Sequence, residues 1–325
     1  MKTIFFENQI ASWREQPKPE PSRDQALIRV TMAGICQTDI ELWAGYYHFA
    51  GIPGHEFVGV GAEAPSRPDL IGKRVVAEIN CGCGLCPDCL GGDPRHCPDR
   101  KAIGIKDWDG CFAGYLLAPL SNIFEVPESV GDEQAVFTEP LAAILQIATQ
   151  APLSAHKRLA ILGDGKLGLL AALALHNLCP DLTFFGKQPQ RLKIAVDFGI
   201  KVVNLAQDET PEQLSGRAGI FDIVIEATGR PQGINFALAL IKPKGIIVAK
   251  TTSHLSSDLA LARLVVQEIT IVGSRCGKFP PALEFLKRGK LDVRPLIAAI
   301  YPFDQFIAAF EFARRRGTGK VLLKY

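Results

Sequence analysis

Residues 158–178 read RLAILGDGKLGLLAALALHNL, an apolar run that passes through a glycine triplet into a second, helix-like apolar run. Gly163, Gly165 and Gly168 stand in the spacing G-x-G-x-x-G, with Lys166 and Leu167 between the last two. A bare triplet says little, but a strand before it and a helix after it restrict the backbone sharply. Gly163 permits the tight turn, Gly165 lets a pyrophosphate come up to the backbone, and Gly168 lets helix and strand pack closely. The helix amino terminus then presents free N–H groups and the positive end of its dipole to the phosphates. The bland alternative is a packing turn with no ligand. Further on, LTFF, FDIVIEA, GIIVAK and ITIVG are apolar, β-rich runs separated by helix-like segments. Continuous apolar strands alternating with helices build a parallel sheet covered on both faces.

In such a sheet the second strand, here LTFF, ends beside the adenosine ribose, and an acid there grips the hydroxyls of NAD. The residue at that place is Gly186. No Asp or Glu occurs between Leu182 and Val196, whereas Lys187, Arg191 and Lys193 are all basic. Small and cationic groups suit a 2′-phosphate, so the expected cofactor is NADP(H) in preference to NAD(H). A solvated basic turn is the alternative.

The amino-terminal part has a different texture. From Ala26 to about Val126 short β-like runs such as ALIRV, FVGVGAE and RVVAEI are broken by Gly and Pro. The spacing then predicts a helix over Asp132–Gln150 with an acidic first turn, and after Cys276 a helix PPALEFLKRG and a β/α tail. At 325 residues the chain suits two domains, and 47% hydrophobic with 22% charged residues reads as globular and soluble. A net charge of +2 offers no field for nucleic acid or an anionic membrane. The first residues lack the pattern of a signal peptide and the longest apolar stretch is too short to span a bilayer, so the expected home is the cytoplasm.

Five of the nine cysteines crowd into CGCGLCPDCLGGDPRHC, from Cys81 to Cys97. Disulfide frameworks belong to small secreted chains, and an odd number of cysteines leaves at least one unpaired. The same stretch carries one Arg and no Lys, too little charge for a nucleic-acid-binding finger. Elsewhere, in AGICQTDIELWAGYYHFAGIPGHEFVGVG, Cys36, His55 and Glu56 offer a thiolate, an imidazole and a carboxylate, all competent zinc ligands.

Taken together, GICQTD, GHEFVG, the run Cys83-x2-Cys86-x2-Cys89-x7-Cys97, TEPLA, GDGKLG and EATG resemble the zinc-containing medium-chain dehydrogenase/reductase family of alcohol, polyol, sugar and threonine dehydrogenases. The resemblance implies an α/β fold, a Rossmann doubly wound parallel sheet (142–276) inserted into a β-rich GroES-like catalytic domain (1–141 and 277–325), with the active site in the cleft between them. It implies two zinc ions per chain. One is structural, held in the 81–97 lobe by Cys83, Cys86, Cys89 and Cys97, with Cys81 outside the pattern. The other is catalytic, placed by Cys36, His55 and Glu56, with Glu139 of TEPLA as a further carboxylate, directly or through water. Cys111 and Cys179 sit in the wrong contexts to be ligands.

By the same resemblance Thr38 hydrogen-bonds the substrate oxygen and takes its proton, Asp39 orients a ligand, and Glu41 or His48 exports the proton. Thr228 of EATG and Arg275 of GSRCG join the glycine turn as cofactor contacts. Gln37 departs from the usual Gly. The implied activity is hydride transfer between NADP(H) and a secondary alcohol, polyol or sugar-like substrate, by a homo-oligomer. The rivals are a carbonyl reductase running the other way and a non-catalytic NADPH sensor of the same fold. Trp43, Tyr46, Tyr47 and Phe49 either wall a substrate cleft or form a core patch. His156, His176 and His254 read as isolated.

Overall fold

The computed structural model describes residues 1–206, 210–253 and 255–325; His254 lies outside them. The chain divides into two compact units, Pro140–Gly277 and Met1–Glu139 together with Lys278–Tyr325.

In the first of these, six parallel strands lie in the order Lys201–Asn204, Leu182–Gly186, Leu159–Leu162, Phe221–Glu226, Ile241–Ala249 and Thr270–Gly273. That is the 3-2-1-4-5-6 order of a doubly wound sheet, whose ligand crevice lies outside the carboxyl ends of the strands where the order reverses. All residues of Leu159–Leu162 and Leu182–Gly186 are buried, which is why these strands read as unbroken apolar runs. Phe185 and Phe221 meet edge to face at 5.8 Å within a core that includes Leu162, Val224, Leu240 and Ile247. Lys201–Asn204 has no such run: it is an edge strand with exposed ends, and its two central valines are too few to give an apolar signal.

The other unit is built on a seven-stranded sheet. The long strand Gln25–Ile35 pairs antiparallel with Glu56–Glu63, with Tyr115–Pro119 and with the tail strand Lys320–Lys324. The tail thus returns to the amino-terminal body and closes it. The helix expected over Asp132–Gln150 is two, Asp132–Ala135 and Thr138–Gln150, interrupted at Val136 and Phe137, which are buried. Trp43 is half-buried and packs on the core residues Phe6 and Phe310. The rings of Tyr46 and Tyr47 meet at 4.0 Å, tilted by 33°, and Tyr47 and His48 both hold left-handed backbone conformations at the surface.

Candidate active site

Cys36 closes the strand Gln25–Ile35 and caps the short helix Gln37–Trp43. The Asp39 carboxylate accepts the Cys36 N–H at 2.8 Å, fixing the cap that aims the thiol. Glu56 opens the neighbouring strand, with His55 immediately before it, and the register sets Glu56 opposite Gly34. The ligand atoms of Cys36, His55 and Glu56 lie within 4.8 Å of one another. The Thr38 hydroxyl sits 3.8 Å from Cys36 Sγ, and Asp39 Oδ1 stands 3.3 Å from His55 Nδ1. With Nδ1 facing a carboxylate, Nε2 is the nitrogen left for a ligand. Burial alone would lower the His55 pKa, but Asp39 and Cys36 outweigh it and hold the imidazole well above its usual value. Glu139, in the first turn of Thr138–Gln150, lies outside the cluster of three but close enough to raise the pKa of Lys320.

Lys320 is the residue the sequence did not reveal. Its ammonium forms a buried ion pair with Glu56, side chains 6% and 1% exposed. The two strands that carry them flank Gly34, where an added Cβ would come within 2.7 Å of Glu56 Oε2 and 3.4 Å of Lys320 Cδ. A glycine in the middle strand is what lets the charges meet over it. Burial works to lower the Lys320 pKa, yet Glu56 and Cys36 raise it. The only hint in the sequence is a lysine opening the apolar run KVLLK. A thiol, an imidazole and two nearby carboxylates, balanced by one ammonium, form a donor set that fits zinc.

The second cluster is Cys83, Cys86, Cys89 and Cys97, again with ligand atoms within 4.8 Å. Cys83 Sγ accepts the N–H groups of Leu85 at 3.4 Å and Cys86 at 3.3 Å, and Cys97 Sγ accepts that of Cys83 at 3.3 Å. These donors favour thiolate, and the Leu85 and Cys86 N–H groups lower the Cys83 pKa to about 7. Four thiolates fit a closed tetrahedral zinc with no vacant position. Cys81 turns away, buried, its thiol pushed up to about 12 by burial. All nine cysteines are free of disulfides.

The glycine turn has the form its spacing implies. Gly163 holds φ +106°, and a Cβ there would strike Ala227 O at 2.4 Å; at Gly168 it would strike Gly163 O at 1.8 Å. Gly165 caps the helix Lys166–Leu175, and a Cβ on it would meet nothing within 4 Å. Packing therefore demands two of the glycines, while the third leaves open the space before the helix N-terminus, which fits a pyrophosphate. Thr228 is turned inward, its hydroxyl donating to Glu226 at 2.6 Å. Arg275 is exposed, its carbonyl held at 2.7 Å by the buried Lys250 ammonium, which also bonds Ala143 O at 2.9 Å.

Residues 22–128 match the alcohol dehydrogenase GroES-like domain and residues 167–288 the zinc-binding dehydrogenase domain. The chain belongs to the zinc-containing medium-chain dehydrogenase family. It is 28% identical to a sorbitol dehydrogenase of Halalkalibacterium halodurans over 95% of this chain and 94% of that one. Among solved structures, an alcohol dehydrogenase from Escherichia coli CFT073 complexed with NADH superposes with a TM-score of 0.94 at 26% identity, covering 100% and 99% of the two chains. A zinc-binding dehydrogenase from Sinorhizobium meliloti bound to NADP gives 0.91 at 28%, with the same coverage. This dehydrogenase therefore has structural relatives with each form of the cofactor.

The turn after the second strand of this dehydrogenase holds the residues singled out in the sequence for the cofactor's form. Gly186 is not an empty place: the side chain of Asp164 lies against it, so that a Cβ on Gly186 would be 2.5 Å from Asp164 Cβ. Arg191 does not reach outward but donates to the Asp164 carbonyl and is half-buried. Of the basic groups singled out there, Lys187 and Lys193 are exposed, and Lys193 pairs with Asp197 at 2.9 Å.

Proposed function

We propose that this medium-chain dehydrogenase transfers a hydride between a nicotinamide dinucleotide and a secondary alcohol, polyol or sugar-like substrate at the Cys36–His55–Glu56 cluster. The observation that carries the proposal is the approach of these three ligand atoms within 4.8 Å, beside a Thr38 hydroxyl 3.8 Å from Cys36 Sγ. A zinc held there by Cys36 and His55, with Glu56 and Glu139, supplies a Lewis acid for the substrate oxygen, and the nicotinamide carries the hydride. Thr38 takes the substrate proton and passes it outward by way of Glu41 or the exposed His48. Asp39 keeps His55 in the orientation and tautomer a ligand needs. Lys320 holds Glu56 and offsets part of the negative charge that a thiolate and two carboxylates place in one site.

The glycine turn binds the pyrophosphate, with Thr228 and Arg275 as further cofactor contacts. For the form of the cofactor, Lys187 on its exposed turn supports NADP(H), the reading drawn from the sequence, and Asp164 beside it supports NAD(H). The 81–97 lobe binds a structural zinc. No helix among the described residues is long and apolar enough to cross a membrane, and a cytoplasmic enzyme is the reading we adopt. A homo-oligomer is supported by the helix Leu261–Val266, whose Val265 and Val266 are 66% and 81% exposed, next to the sheet's edge strand Thr270–Gly273. Screening the zinc-loaded protein with polyols, sugars and secondary alcohols for NAD+ and NADP+ reduction tests the assignment. Turnover of at least one class supports it, and silence across the panel and across the matching carbonyl compounds in reverse defeats it.

A further inference from the structure

The carboxylate missing from the end of the second strand is supplied by another part of the chain. Asp164 is the second residue of the glycine turn, two beyond Leu162, which pairs in parallel register with Phe185. That register delivers its side chain to Gly186. Asp164 Oδ2 accepts the backbone N–H groups of Lys187 at 2.7 Å and Gln188 at 2.5 Å. The close approach explains the glycine: at 186 any side chain would collide, with Asp164 Cβ at 2.5 Å and Oδ2 at 2.7 Å from its Cβ. Arg191, through its bond to the Asp164 carbonyl, clamps the same turn.

We propose that Asp164 reads the adenosine ribose and makes this dehydrogenase select NAD(H) over NADP(H). The inference rests on the dinucleotide reading above and adds the form of the cofactor to it. A carboxylate at the end of the second strand accepts hydrogen bonds from the ribose hydroxyls and repels a 2′-phosphate. Asp164 puts one there from the turn, and the residue is half-exposed. The two N–H groups at the head of the following segment would be the natural cradle for a phosphate oxygen, and Oδ2 already occupies them. Lys187 remains as an attraction for phosphate, but an exposed, solvent-screened charge contributes little beside a carboxylate fixed by two donors.

The test is fluorescence titration of NADH and of NADPH into the full-length protein and into Asp164→Asn. Asparagine keeps an acceptor oxygen for the Lys187 and Gln188 N–H groups and removes the charge. The wild type should bind NADH about ten- to a hundredfold more tightly than NADPH, the size of one charge-assisted hydrogen bond. Asp164→Asn should lose about tenfold for NADH and gain affinity for NADPH, so that the ratio closes or inverts. A wild type that prefers NADPH overturns the proposal. So does an Asn variant that weakens both cofactors in equal proportion, which would make Asp164 a brace for the turn and nothing more. Flat titrations with both cofactors would instead remove the dinucleotide reading itself, and this inference with it.

Discussion

Replacing Lys320 by methionine keeps the length of the side chain and removes its charge. In the wild type the ammonium contacts Glu56 directly, both side chains almost fully enclosed at 6% and 1% exposure. The variant leaves a carboxylate buried beside Cys36 without its cation. Breaking a buried pair by removing one partner costs about 3–5 kcal/mol, and for a domain of this size each kcal/mol moves the melting temperature by ~2–4 °C. The metal-free variant should therefore melt roughly 6–20 °C below the metal-free wild type. Lys320→Met with Glu56→Gln removes both charges and should recover most of the loss, because the penalty lies in the unpaired ion and not in the absence of the pair. Zinc should also recover part of it, since its positive charge would stand beside the unpaired Glu56 carboxylate. Thermal unfolding of the four proteins of this cycle after chelation is the assay. A single variant that melts within about 2 °C of wild type, or a double variant no better than the single, would refute the reasoning.

The other residues give sharper contrasts between function and fold. Thr38→Ala should lower turnover roughly 10²–10⁴-fold with both zincs retained by elemental analysis. Gly165→Ala, whose methyl enters open space, should leave the melting temperature unchanged and weaken cofactor binding; Gly168→Ala, at 1.8 Å from Gly163 O, should destabilise the fold itself. Burial that raises the Cys81 thiol to about 12 keeps it protonated at neutral pH. Cys81 should thus resist iodoacetamide in the folded protein, and Cys81→Ala should keep the full zinc content while Cys89→Ser loses one ion.

The parts of this protein that were legible in the sequence are those whose determinants are contiguous. The glycine turn sits between a strand and a helix in one stretch of chain, and four of the cysteines lie between Cys83 and Cys97. His55 and Glu56 are adjacent, with Cys36 one strand away. Lys320 and Glu56 are 264 residues apart and are joined only by the register of the tail strand across Gly34. Asp164 was visible as a residue type but not as a partner of Gly186, because only the parallel pairing of Leu162 with Phe185 brings them together. The two residues are close in space and twenty-two apart in the chain, so no contiguous motif announces the contact. The break at Val136 and Phe137 did have a local signal, Pro140, which lacks the N–H that would bond the Val136 carbonyl and so sits in the first turn of the second helix.

The proposed activity depends on a zinc held by the Cys36–His55–Glu56 cluster. The most direct measurement is metal content and dehydrogenase turnover, on the same samples, for the wild type, Cys36→Ser and wild type after brief chelation. The two ligand clusters predict close to two zincs per chain in the wild type. Cys36→Ser should hold one, at the cysteine lobe, with turnover lost and the fold intact, and brief chelation should reproduce that state. Full turnover by protein that retains zinc only at Cys83, Cys86, Cys89 and Cys97 would contradict the account.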